Sequence, residues 1–297
     1  MHIVTLRDPS SPLEAQFVPD AGMIGVSLTD SGTELLGQRR GLEAYVADGK
    51  TMGIPLLYPW ANRLGGNTYT AEDTTVALTA GRHRVRADPN GLPIHGVLAA
   101  YPNWRLTHES PDELSAEIDF GADEDLVASF PFPHRLALTI RLLERVLTVR
   151  TAVTPTSDRP VPLCFGFHPY LQLPGVPREQ WIIETPPMRH LQLDGRGLPT
   201  GEAVHEHAAT EPLVDKTFDD GYDEVAEGAV FAVSGGDRRI EVRFDEGYPA
   251  AQIFAPPGED VVCFEPMTAP TDALRRGGYR SALPGDWGVA QFSIRAI

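Results

Sequence analysis

The sequence predicts an all-β fold of large antiparallel sheets, a sandwich or a barrel. Three observations carry that prediction. Apolar and polar residues alternate in segment after segment, the period-two pattern of half-buried strands. Helical periodicity is scarce. The 28 glycines and 27 prolines are spread along the whole length, so turns recur too often for long helices.

The elements follow in chain order. Glu113–Phe120 (ELSAEIDF) alternates and reads as a strand. Arg135–Ala152 (RLALTIRLLERVLTVRTA) reads as two strands with a turn near Glu144–Arg145. Val161–Tyr170 (VPLCFGFHPY) reads as a strand that runs through His168, because Pro169 biases the preceding residue towards extended backbone. From about Pro174 to Gly221 loop signals dominate, and long excursions over a sheet are expected there. Arg239–Phe244, Ala251–Ala255 and Val261–Glu265 are further strands, and Thr271–Arg276 can make one or two helical turns. With 42% hydrophobic residues, no repeat and no linker, residues 1–297 read as one domain.

Composition narrows the function classes. The longest apolar runs are about five residues, far below the roughly 18 needed to span a bilayer. The N-terminal MHIVTLRDPSSPLEAQF has no basic region leading into an apolar stretch, so no secretory signal is read and a cytoplasmic location is expected. A net charge of −16 repels nucleic acid and anionic membrane surfaces. Cys164 and Cys263 sit in apolar runs and read as buried, reduced thiols. No pair of His or Cys has metal-ligand spacing, His205 and His207 being in a polar loop, and no phosphate-cradling loop or nucleophile elbow is present. No metal or organic cofactor is implied.

Five segments hold residues that could carry chemistry. In VPLCFGFHPY, alternation puts Cys164, Gly166 and His168 on one face, small enough to leave room for a ligand beside an imidazole that titrates near neutrality. In VVCFEPMTAP, Glu265 ends an apolar strand. A partly desolvated carboxylate there has a raised pKa and makes a better base. Ile54–Tyr69 (IPLLYPWANRLGGNTY) offers the flat faces of Tyr58 and Trp60 to a sugar's C–H face, with Asn62 and Arg63 for its hydroxyls. In GLPIHG, His95 precedes Gly96, where a backbone can approach a ligand closely. FDDGY at 218–222 places two carboxylates in a turn.

Taken together, these segments resemble the aldose 1-epimerase (galactose mutarotase) family, in that family's order. The matching pieces are NRLGG at 62–66, IHG at 94–96, GFHPYLQL at 166–173, FDDGY at 218–222 and FEPMTAP at 264–270. GFHPYLQL is the most specific. The resemblance implies a galactose mutarotase-like β-supersandwich and a mechanism without cofactor, on a monosaccharide. A base takes the anomeric proton, an acid protonates the ring oxygen, and the ring opens and recloses on the other face. In this chain His168 resembles the acid and Glu265 the base. Arg63 and His95 resemble sugar-holding residues, joined as binding candidates by Asn62, Trp60, Tyr170 and one aspartate of FDDGY. Asp219 has the closest spacing, with Asp220 nearly as good. The chain departs from the better-known galactose mutarotases at Val97 and at Pro266–Met267, so galactose does not carry over as substrate.

The expected substrate is a neutral aldohexose. Arg82, Arg84 and Arg86 would share a strand face and could hold a phosphate, which keeps a hexose 6-phosphate as one alternative and non-catalytic sugar binding as another. In the free protein Glu265 is expected to be anionic and His168 protonated or able to deliver a proton. Oligomeric state stays open.

Overall fold

The computed structural model describes residues 1–297. Two large antiparallel sheets dominate. The nine-stranded sheet runs, edge to edge, through Ala209–Pro212, Ile182–Thr185, Ala229–Gly235, Arg238–Glu246, Gly288–Ala296, Val146–Pro155, His134–Leu143, Glu113–Asp119 and Arg105–Glu109. The eight-stranded sheet runs through Pro199–Glu206, Met188–Leu193, Phe218–Asp223, Ala250–Ala255, Val262–Met267, Gly166–Phe167 and Leu56–Leu57, with Tyr170–Leu171 also paired to Val262–Met267. A four-stranded sheet covers Val4–Glu34. The only α-helices are Gly41–Asp48, Glu124–Ser129 and Ala273–Arg276, the last inside the predicted helical stretch. None is long and apolar enough to cross a membrane.

The hairpin His134–Leu143/Val146–Pro155 forms because the inward residues of both strands are apolar apart from His134 and Thr151, and its turn is made by Glu144 and Arg145, both at positive φ. Asp8 pins that turn to the small sheet. Its carboxylate accepts the Glu144 and Arg145 amides at 3.1 and 2.7 Å and the Ser10 and Ser11 hydroxyls. One cluster of 69 buried residues, including Phe120, Phe165, Phe167, Phe231, Phe244 and Phe292, joins the sheets. Both cysteines are buried and free.

His134 lies in this core, 0% exposed. Its Nδ1 faces the Phe132 carbonyl at 2.6 Å and must donate, so Nε2 accepts from the Tyr58 hydroxyl at 2.6 Å. Burial lowers its pKa to about 4 from 6.5, against the help of Phe132. The unfolded chain therefore binds the extra proton first. The stability held above pH 6.5 declines as pH falls from 6.5 to 4, by about 3 kcal/mol from this residue. Thermal unfolding followed across that range is expected to show a shallower acid decline in His134→Gln than in the native protein.

The segment from Pro174 to Gly221 is not a loop excursion. It supplies the outer strands of both large sheets, Ile182–Thr185, Met188–Leu193, Pro199–Glu206, Ala209–Pro212 and Phe218–Asp223. Pro199–Glu206 is exposed along nearly its whole length, so no buried face imposed the alternation by which a strand is read. The predicted strand through His168 is also broken. Val161–Leu163 pairs with Arg280–Ala282, Gly166–Phe167 joins the eight-stranded sheet, and the strand stops again at Phe167 to resume at Tyr170, because Pro169 has no amide to give the ladder.

Candidate active site

The break at Pro169 does not shift the register. Gly166 faces Met267 and Tyr170 faces Cys263, which sets His168 directly opposite Glu265. The next strand puts Gln252 opposite Glu265 and Phe254 opposite Cys263, and beyond it Asp219 pairs with Phe254. With a period of two, His168, Tyr170, Glu265, Gln252, Phe254 and Asp219 all stand on one face of the sheet. They line a cleft of about 450 Å³, open mouth included, with Arg39, Thr51, Asn62, Arg63, Ile94 and His95.

The pairing separates the two aspartates. Asp219 faces the cleft, accepting from Gln252 Nε2 at 2.8 Å with Arg63 3.9 Å away. Asp220 turns to the other face, where it meets His190 at 3.4 Å.

Two laced loops form the second wall. The His95 amide donates to the Asn62 carbonyl at 2.9 Å and the Val97 amide to the Tyr58 carbonyl at 2.7 Å. Asn62 and His95 both adopt positive φ. Gly96 is required there, since a Cβ would lie 2.0 Å from the Tyr58 oxygen. Its close approach is to backbone, not to ligand. Arg63 is fixed by Asp88 at 3.0 Å and Asn62 at 3.0 Å, and Gly197 lets the Asp194–Leu198 turn rest on its guanidinium. Burial opposes the Asp88 charge, but the Leu92 amide, Arg63 and the Asn90 amide outweigh it and hold the carboxyl below its usual range.

His168 and Glu265 stand side by side, Nε2 to Oε1 at 3.2 Å, and are 5% and 2% exposed. Burial pulls the imidazole well below 6.5, aided by His95 and Arg39. Burial pushes Glu265 well above 4.5, aided by Asp219 and opposed by Arg63. Burial thus acts against the charged pair expected from sequence. Enclosure disfavours both the imidazolium and the carboxylate. Burial, with Arg63 and Arg86 nearby, lowers His95 to about 3, so it stays a neutral donor and acceptor at neutral pH. The Nδ1 atoms of His95 and His168 and the Oε1 of Gln252 are buried without partners, all in this cleft.

Of the residues singled out from sequence, Asn62, Arg63, His95, His168, Tyr170, Asp219 and Glu265 converge here. Trp60 does not. It bridges Cys164 through its backbone and its ring is 1% exposed in the core, as is Tyr58. The space beside Gly166 is likewise taken, by Ala61 and Met267. The aromatic face that does reach the cleft is Phe254, which sequence reading missed along with Gln252, Thr51 and Arg39. A glutamine inside the apolar run AAQIFA was the available signal. Arg82, Arg84 and Arg86 share no strand face, because His83 and Arg84 turn the chain at positive φ. Arg84 is held by the Val97 and Ala99 carbonyls, and none of the three lines the cleft.

Two antiparallel sheets with a polar cleft on one strand face define the galactose mutarotase-like class of β-supersandwich. The chain belongs to the aldose 1-epimerase family, whose sequence pattern matches residues 11–283. Solved structures agree in fold. A galactose mutarotase-like protein from Clostridium acetobutylicum superposes with TM-score 0.82 at 18% identity, covering 97% of this chain and 93% of that one. A Synechocystis protein gives 0.80 at 20%, covering 99% and 95%. The GalM/aldose epimerase homologue from C. elegans gives 0.80 at 16%, covering 100% and 98%. No match was found among curated proteins.

Proposed function

We propose that this chain is a single-domain aldose 1-epimerase that interconverts the α and β anomers of a neutral aldohexose by acid–base ring opening. The observation that carries the reading is the buried His168–Glu265 pair, 3.2 Å apart in a cleft otherwise lined by hydroxyl-binding groups. Ring opening needs one proton removed from the anomeric hydroxyl and one delivered to the ring oxygen. A pair that holds a single proton meets both needs, because one member is always able to give and the other to receive. Sugar hydroxyls donated to Glu265 favour its anion, and the proton moves across the pair to His168. Glu265 then takes the anomeric proton while His168 protonates the ring oxygen. The bond from C1 to that oxygen breaks, the C1–C2 bond rotates, and the reverse transfers close the other anomer.

Arg63, His95, Asn62 and Asp219 hold hydroxyls in this scheme and move no proton. Arg63→Ala is expected to weaken sugar binding by about tenfold to a hundredfold, the cost of losing a charge-assisted hydrogen bond, with a smaller loss of turnover. Turnover abolished at unchanged affinity would contradict that division of roles. The function itself is tested by an NMR or polarimetric anomer-exchange panel over aldoses and their 6-phosphates. Acceleration with a neutral aldohexose supports it. Sugar binding without acceleration supports a binding protein, and a strong preference for 6-phosphates supports a phosphosugar enzyme.

A further inference from the structure

We propose that Arg39 and Tyr170 form a positioning arm for His168, anchored at the cleft rim by Glu259; this rests on the proton-transfer role proposed for His168. Three contacts converge on one phenol oxygen. Arg39 Nη1 donates to it at 3.2 Å, the Thr51 hydroxyl lies at 2.6 Å and His168 Nε2 at 3.1 Å. The phenol ring stacks on the imidazole, centroids 4.3 Å apart and planes 9° from parallel. The outer end is rigid as well. Arg39 pairs with both oxygens of Glu259 at 2.7 Å, 220 positions away in the chain, and its guanidinium lies over the Tyr170 and Phe254 rings.

These contacts differ in reversibility. Arg39 has only protons to give, so it holds the phenol oxygen through every state of the site. The hydroxyls of Tyr170 and Thr51 can each donate or accept. A bare His168 Nε2 has one lone pair, which takes the Glu265 proton when the carboxyl presents it and the Tyr170 proton otherwise, and Tyr170 accepts from Arg39 in either case. When Nε2 carries a proton, Tyr170 turns its own proton to Thr51. The ring of His168 is thus held in one place in both protonation states, with Nε2 facing Glu265. His168 Nδ1 has no partner, so the arm at Nε2 and the stacked ring orient the imidazole. Tyr170, read from sequence as a sugar contact, acts here through His168.

The test uses Tyr170→Phe, Arg39→Met and Arg39→Lys. Each keeps bulk, and Arg39 is a rim residue with its side chain 25% exposed, so folding is checked simply by thermal unfolding. The groups facing His168 are Glu265 and Cys263 from one strand, Tyr170, His95, Arg39, and across the cleft Arg63 and Asp219. Imidazole ¹⁵N NMR of the free protein reads the arm without any sugar. Removing the Arg39 cation is expected to move the His168 titration to higher pH in Arg39→Met and leave it near native in Arg39→Lys. In anomer exchange, Tyr170→Phe is expected to lose about tenfold in kcat with KM within about twofold, as for one hydrogen bond acting on orientation. An unmoved titration in Arg39→Met, or a KM effect without a kcat effect in Tyr170→Phe, overturns the proposal. If the native protein exchanges no anomers, the functional reading fails while the titration still decides the arm.

Discussion

Glu265→Gln and His168→Asn are each expected to slow anomer exchange by about 10²- to 10⁴-fold. Both substitutions keep approximate shape and remove the exchangeable proton site. The two effects should not add, because either change leaves the other residue without a proton partner 3.2 Å away. Stability should change little, and Glu265→Gln can raise the unfolding temperature, since a carboxyl 2% exposed carries a desolvation cost. Turnover numbers from exchange NMR, with thermal unfolding as the control, check this. Near-native exchange in both variants would remove the pair from the chemistry.

Gly96→Ala is expected to cost about 3 kcal/mol of stability and to damage the cleft as well. The residue sits at φ +66 with the Tyr58 carbonyl oxygen 2.0 Å from where a Cβ would go. Neither backbone can give way easily, because Val97 donates to the same carbonyl and His95 to Asn62. For a chain of this size the shift in unfolding temperature is on the order of 5–10 °C. Because His95 precedes Gly96 directly, sugar affinity should fall in the variant even where it is folded. A variant as stable as the native protein would show that the two loops are not locked together.

The parts of the fold legible in sequence were those with one buried face. Arg135–Ala152 alternates because its inner residues meet the core, and its turn was found within the predicted pair of residues. Pro199–Glu206 gave no such pattern because solvent surrounds it. The site shows the same division. His168, Glu265, Arg63 and His95 stood out as polar residues in apolar or turn-rich surroundings. Their mutual placement did not, because it depends on a register carried across the break at Pro169 and on loops laced through backbone bonds. Phe254 takes the place in the cleft expected of Trp60, for a related reason. Sequence gives the aromatic character of a residue but not which sheet face it takes, and Trp60 faces the core. Arg39 was invisible because its partners, Tyr170 and Glu259, lie far along the chain.

The direct test of the central claim, a buried pair sharing one proton, is the pH dependence of kcat for anomer exchange in the native protein. With ordinary values the pair would hold one proton only between 4.5 and 6.5, and activity would fall as pH rises through 6.5. Burial acts against that order, disfavouring the imidazolium and the carboxylate alike. The second proton is gained only well below 6.5, as His168 is pulled down, and the last is lost only well above 4.5, as Glu265 is pushed up. The expected profile is a plateau that continues through pH 6.5 into the neutral range, with its acid limb lying well below 6.5. A narrow bell that falls about tenfold per unit above 6.5 would contradict the account.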